Sequence, residues 1–176
     1  MHVGFLLLQE LEVNDVFVGA LLVTDESGVP IEFKCTHAIK PTLIQRALYG
    51  DNLRPFIGVT LCGVPLYQSL KNEPDVIFIK QAFCLNLHLE VNADTVLVSR
   101  AGESLGTGEL SHRDRMNSEG GFPPIIVTYH PDSKKSENDE VRELISQVFL
   151  NVDVLEPFDR ISKSIEVLGR NDPLYR

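Results

Sequence analysis

The sequence predicts an α+β domain: a mainly antiparallel sheet, with a mixed sheet also allowed, that opens as a three-strand meander and is covered by helices, two of them C-terminal. Three observations predict it. The stretch FVGALLVTDESGVPIEFKCT holds a nearly continuous apolar run (Phe17, Ala20, Leu21, Leu22, Val23), a turn of Asp25, Glu26, Ser27 and Gly28, and then Val29, Ile31 and Phe33 alternating with Pro30, Glu32 and Lys34. That is a buried strand turning into a half-exposed one, because Asp, Ser and Gly supply the side-chain hydrogen bonds and positive φ of a tight reversal. Ahead of it, the FLLL run makes a further strand. At the far end, Val141, Leu144, Ile145, Val148 and Phe149, and then Phe158, Ile161, Ile165 and Leu168, make two apolar stripes at helical spacing.

The elements follow in order. Strands are expected over 3–11, 16–24 and 29–36. At Pro41 the period changes: Leu43, Ile44, Ala47 and Leu48 recur at helical spacing, and Gly50 stands where a C-cap belongs. From Asp51 on, Pro55, Gly58, Gly63 and Pro65 predict two short helical pieces with a kink, not one helix. DVIFIK, 75–80, reads as a strand. Phe83, Leu85, Leu87, Leu89 and Val91 then alternate with polar or small residues, which predicts a strand over 83–91, while the lack of β-branched residues in 81–89 leaves a helix as the alternative. DTVLVS, 94–99, is another strand. The stretch 100–124, with five glycines, two prolines and little apolar periodicity, is expected as a long loop of the kind that binds, covers a site or stays unstructured. A strand over 125–129 follows, then a helix opened by Ser136 and Asp139 as a variant capping box, and a second helix from Glu156-Pro157 with Gly169 as its stop.

Length and composition narrow the function. At 176 residues and 43% hydrophobic content the chain is the size of one domain, 1–176, and should bury roughly 70% of its unfolded surface. Cys35, Cys62 and Cys84 are odd in number and sit in apolar runs, which argues for a reducing compartment over a disulfide framework. The N-terminal run lacks a basic region and a cleavage site, and no window reaches the roughly 18 apolar residues of a membrane span. The expected location is cytoplasmic, with no membrane partner. A formal charge of −9 repels polyanions on average, so no nucleic acid is expected as a partner.

The chemistry-bearing residues are scattered. His130 ends the strand IIVTYH beside Asp132 and ahead of a helix, a common place for a site, and an acid-base role there would need Asp132 or Ser133 to orient the ring. The ordinary alternative is a turn histidine. His88 and Cys35 are further members of such a site, with 100–124 as its lid. Cys35 and His37 form a C-x-H pair, short of the four ligands a zinc site wants, and no cofactor is implied. Gly102, Gly106 and Gly108 lack the spacing and the Lys-Ser or Lys-Thr pair of a phosphate loop, and Glu103 and Glu109 would repel a phosphate. His112-Arg113-Asp114 matches a kinase tripeptide in letters only. With Arg115 it forms a basic island suited to an acidic contact. Arg46, Tyr49 and Arg54 are residue types favoured at interfaces.

The hairpin LLVTDESGVPIEF, covered by helices, resembles the central hairpin of PAS, roadblock and longin modules, and that resemblance implies a sensing or docking module. The expectation is a non-catalytic module that works through protein docking or self-association. The alternative is a small enzyme or ligand-binding domain with its site near His130 and Asp132.

Overall fold

The computed structural model describes residues 1–11, 15–103, 112–133 and 135–175. Its strands are β1 (His2–Leu11), β2 (Val16–Asp25), β3 (Pro30–Cys35), β4 (Val76–Ile79), β5 (Asp94–Arg100), β6 (Arg113–Met116) and β7 (Ile125–Thr128), in one sheet of order β3-β2-β1-β4-β5-β7-β6. The expected meander is present, with β1–β2 and β2–β3 antiparallel. In the middle the sheet turns parallel: Val3 pairs with Val76 and Ile79 with Leu97, so β1, β4 and β5 run the same way. The sheet is therefore mixed, in an α+β fold.

The apolar continuity of β1 and β2 has a direct cause, because both are buried on two faces. Phe5, Leu7, Val18, Ala20 and Phe78 pack toward two long helices, α4 (Lys135–Asn151) and α5 (Glu156–Asn171), where Phe5 stacks on Phe78 at 5.3 Å and meets the edge of Phe158 at 5.7 Å. On the other face Leu6, Leu8, Leu21, Ile77 and Leu97 pack against Ile57, Cys62, Leu66 and Leu87 from the helical segments between the strands. The β2–β3 turn forms as its residues dictate: Asp25 Oδ1 accepts the N–H groups of Ser27 and Val29, each at 2.9 Å, and Gly28 takes φ 79°.

Several expectations are corrected. Helix α1 (Leu43–Tyr49) ends, as expected, at a Gly50 C-cap with φ 50°; beyond it a 3-10 turn (Gly50–Asn52) leads into α2 (Leu53–Pro55), a π-helical stretch (Phe56–Gly63) and α3 (Val64–Gln68), which run on as one helical stretch of changing pitch over 53–68 where two kinked pieces were expected. The chain passes its glycines and prolines because the pitch widens, with Val64 N–H reaching Val59 O, and Pro65 falls at the start of α3, where a missing N–H costs little. Gly58 brings this run against Phe83 and Cys84. The α1 capping box is Thr42 with Gln45, and Leu43, Ile44 and Leu48 all face outward. Of the two readings of 83–91 the strand is not formed and the helical alternative is, as a 3-10 helix, Ala82–Leu89, that buries Cys84, Leu85 and Leu87. Within 100–124 the structure forms β6; residues 104–111 lie outside the described ones. Helix α4 begins at Lys135, which puts Ser136 inside its first turn, and α5 continues past Gly169 to Asn171. Among the described residues no helix is long and apolar enough to cross a membrane.

Candidate functional site

The chain leaves β1 for β2 and β3 on one side and returns to β4 and β5 on the other. Such a switch point opens a crevice beyond the carboxyl ends of the parallel strands, the usual ligand position in open sheets of this kind. Here the crevice contains a hollow of about 250 Å³ lined by Leu8, Glu10, Phe17, Arg54, Gln81 and Phe83. Leu8 and Glu10 come from the end of β1, Gln81 and Phe83 follow β4, and Arg54 is held out by α2. Arg54 Nη2 bonds Glu10 Oε2 at 2.8 Å, with the arginine side chain 60% exposed. Gln81 Nε2 donates to Leu8 O at 2.7 Å, which leaves its Oε1 buried with no hydrogen-bond partner. On the opposite face of the same strand ends, Arg100 is paired with Asp153, and Lys80 lies 5.8 Å from the Phe158 ring centre.

A second cluster sits at the other end of the sheet, beside the start of β5. The rings of His88 and His130 stack at 5.5 Å with 24° between planes. His130 is buried, accepts the Asp132 N–H on Nδ1 at 3.1 Å and lies 3.3 Å from Asn86 Oδ1 through Nε2. Both ring nitrogens are thus occupied in the pattern of a neutral imidazole protonated on Nε2. Burial, and then the charge of His88, hold its pKa below the usual histidine value, against a weaker pull from Asp132. The Asp132 carboxylate itself is exposed, 3.8 Å from Nδ1. His88 is less satisfied: Nε2 lies 3.3 Å from Ser133 Oγ, while Nδ1 is buried without a hydrogen bond, 4.0 Å from Asp94 Oδ1. The structure brings together His130, Asp132, Ser133 and His88.

The remaining predicted residues are dispersed. Arg46 is bound to Asp15 at 2.7 Å, and Tyr49 stacks on Phe56 at 4.5 Å. His112, Arg113 and Arg115 are exposed along the edge strand β6 and its approach. The Cys35 thiol donates to Thr36 O at 3.4 Å, and His37 meets the edge of the Tyr175 ring. Among the described residues no group of three or more His, Cys, Asp or Glu side chains could hold a metal ion. Sequence reading found Arg54 but missed Glu10, Gln81 and Phe83. The polar pairs that end each apolar run, Gln9-Glu10 and Lys80-Gln81, were the available signal, and they point to one place only once β1 and β4 are known to be parallel neighbours.

No family model matches the chain, and no curated protein matches it. Solved structures do resemble its fold. Endonuclease V of Ciona intestinalis, in complex with a 24mer DNA containing an inosine followed by a ribo-adenosine, superposes with a TM-score of 0.54 at 10% identity over 93% of this chain and 85% of that one. Endonuclease V of Bacillus subtilis gives 0.51 at 11% identity over 97% and 82%. At such identities the likeness is one of fold. It overturns the reading of the chain as a non-catalytic docking or self-associating module, which rested chiefly on the scatter of the chemistry-bearing residues and, beside it, on a helix-covered hairpin that many folds share. It also removes the ground for excluding nucleic acid. Net charge is an average over the chain, whereas Arg54 stands 60% exposed on the rim of the hollow.

Proposed function

We propose that this chain is a nucleic-acid-processing enzyme that seats a strand of its substrate across the carboxyl ends of β1, β4 and β5. The observation that carries the reading is a switch-point hollow with an arginine on its rim, in a fold shared with DNA-bound Endonuclease V over most of both chains. The groups present suit that ligand. The Arg54 guanidinium matches a phosphate in geometry and charge. Phe83 offers a ring on which a base can stack. The unpaired Oε1 of Gln81 is an acceptor for a base N–H, and such a contact would remove the cost of leaving it buried and unmatched. Three free thiols fit a reducing location such as the cytoplasm.

Fluorescence anisotropy with labelled single- and double-stranded DNA and RNA, with and without inosine, tests this, with cleavage followed on the same oligonucleotides. Binding that weakens as salt rises, and by about tenfold in Arg54→Ala, is expected. An absence of binding to every oligonucleotide at low salt would end the reading.

One observation favours a second location for the chemistry. His88 has an unsatisfied buried Nδ1 and an Nε2 beside Ser133 Oγ, so the imidazole pair offers a proton-transfer site of the kind expected near His130 and Asp132. Under that reading His88→Gln removes turnover and leaves oligonucleotide affinity intact.

A further inference from the structure

Nucleases as a class commonly hold two divalent ions about 3.5–4 Å apart between clustered oxygen ligands. The donor set at this crevice does not fit that arrangement. Among the residues that line the hollow Glu10 is the one carboxylate, and it is bound to Arg54; away from it, Asp153 is bound to Arg100 and Glu103 accepts the Arg100 N–H. Gln81 contributes a neutral amide whose Oε1 is buried and unpaired. A divalent cation placed here would meet one carboxylate, already held by a guanidinium, where it needs several free oxygens.

A phosphate meets the reverse situation. Arg54 is 60% exposed and Glu10 34%, so both ends of their ion pair are open to solvent and to exchange. Exposed pairs of this kind are worth about 0–1 kcal/mol, so an incoming anion with better geometry can take the guanidinium over. Resting on the nucleic-acid reading above, we infer that this crevice takes a backbone phosphate directly on Arg54 without a divalent ion, and that the Glu10 carboxylate is an internal stand-in which the phosphate displaces.

The sign of one substitution separates this from metal-mediated binding. If Glu10 competes with phosphate, Glu10→Gln frees Arg54 and removes a repelling charge, so affinity for a labelled single-stranded oligonucleotide rises by roughly three- to tenfold. If Glu10 is a metal ligand, the same variant binds more weakly. The measurement is anisotropy on wild type, Glu10→Gln and Arg54→Ala, in EDTA and in Mg2+ or Mn2+, with Mn2+ titrated into the free wild-type protein by calorimetry. The inference expects equal wild-type affinity in EDTA and Mg2+, tighter binding by Glu10→Gln, weaker binding by Arg54→Ala, and no Mn2+ heat. Binding that vanishes in EDTA and returns with Mn2+ overturns it and leaves the nucleic-acid reading standing. So does a Glu10→Gln variant that binds no better than wild type. If wild type binds nothing in any buffer, it is the nucleic-acid reading that falls. Both substitutions are at an exposed ion pair, and circular dichroism checks that each variant is folded.

Discussion

The Glu32 carboxylate fastens β3 to the segment that leads into β4. It accepts the Lys71 N–H at 3.0 Å to its nearer oxygen, the Asn72 N–H at 3.0 Å and the Asn72 side-chain amide at 3.1 Å, with the Lys34 ammonium 3.3 Å away. Burial pushes its pKa up, but the hydrogen bonds from Asn72, Lys71 and Lys34 outweigh burial and hold it at about 2. A carboxyl held below its unfolded value stabilises the fold above the unfolded pKa and loses that contribution as pH falls toward the folded one. The window here runs from about 4.5 down to about 2. Glu32→Gln should cost about 1–2 kcal/mol at neutral pH and remove this group's share of the acid sensitivity. Urea unfolding at several pH values measures both. A variant whose acid profile matches wild type would show that Glu32 is not the group responsible. The sequence displays Glu32 only as an outward residue of an alternating strand, because its partners lie about forty positions away.

The continuous helical stretch 53–68 depends on a close approach. A Cβ at Gly58 would lie 2.8 Å from Cys84 Sγ and 3.1 Å from Phe83 Cε2, so glycine lets the π-helical stretch rest against the 3-10 segment Ala82–Leu89. Gly58→Ala should destabilise by about 1–3 kcal/mol through overpacking, and adding Cys84→Ala should recover part of that loss. Chemical denaturation of the four proteins in the cycle measures the coupling, and strictly additive effects would mean that the two segments do not bear on each other here. The same contact explains why these elements were hard to read. Glycines and prolines predict breaks when the chain is considered locally, yet here they serve tight packing and a changing pitch. Alternation over 83–91 mimics a strand because a three-residue turn burying Cys84, Leu85 and Leu87 leaves much the same apolar pattern in a short segment. Strands β1 and β2 and helices α4 and α5 were legible because their long periodic runs record faces that are in fact buried, whereas β3, whose Ile31 and Phe33 stay exposed, was legible from its turn and its alternation.

The three thiols report on the opening of the whole fold. Burial pushes Cys35 up to about 11 and Cys62 and Cys84 up to about 12, so almost no thiolate is present near neutral pH. Iodoacetamide at pH 8 should therefore modify half-buried Cys35 first and slowly, and Cys62 and Cys84 only as fast as the protein opens, whereas all three should react together in denaturant. Mass spectrometry over time follows each site, and rapid native labelling of Cys84 would contradict the packing of the 3-10 segment. The candidate crevice was the least legible feature at this level. Its groups are Leu8, Glu10, Phe17, Arg54, Gln81 and Phe83, and they converge through a parallel pairing that leaves no periodic trace. The imidazole cluster was partly legible, since His130, Asp132 and Ser133 are neighbours in the chain and only the stacking of His88 is long-range.

The same parallel pairing governs how the protein is made. Strand β1 finds β2 at once, but its other neighbour, β4, is synthesised some seventy residues later. At about 5–20 residues per second, that leaves a strand apolar on both faces with one unpaired edge for roughly 4–15 s at the ribosome. Such an edge is a template for mispairing with other chains. The central strand that organises the finished crevice is thus, during synthesis, a segment with an open edge that cover would protect.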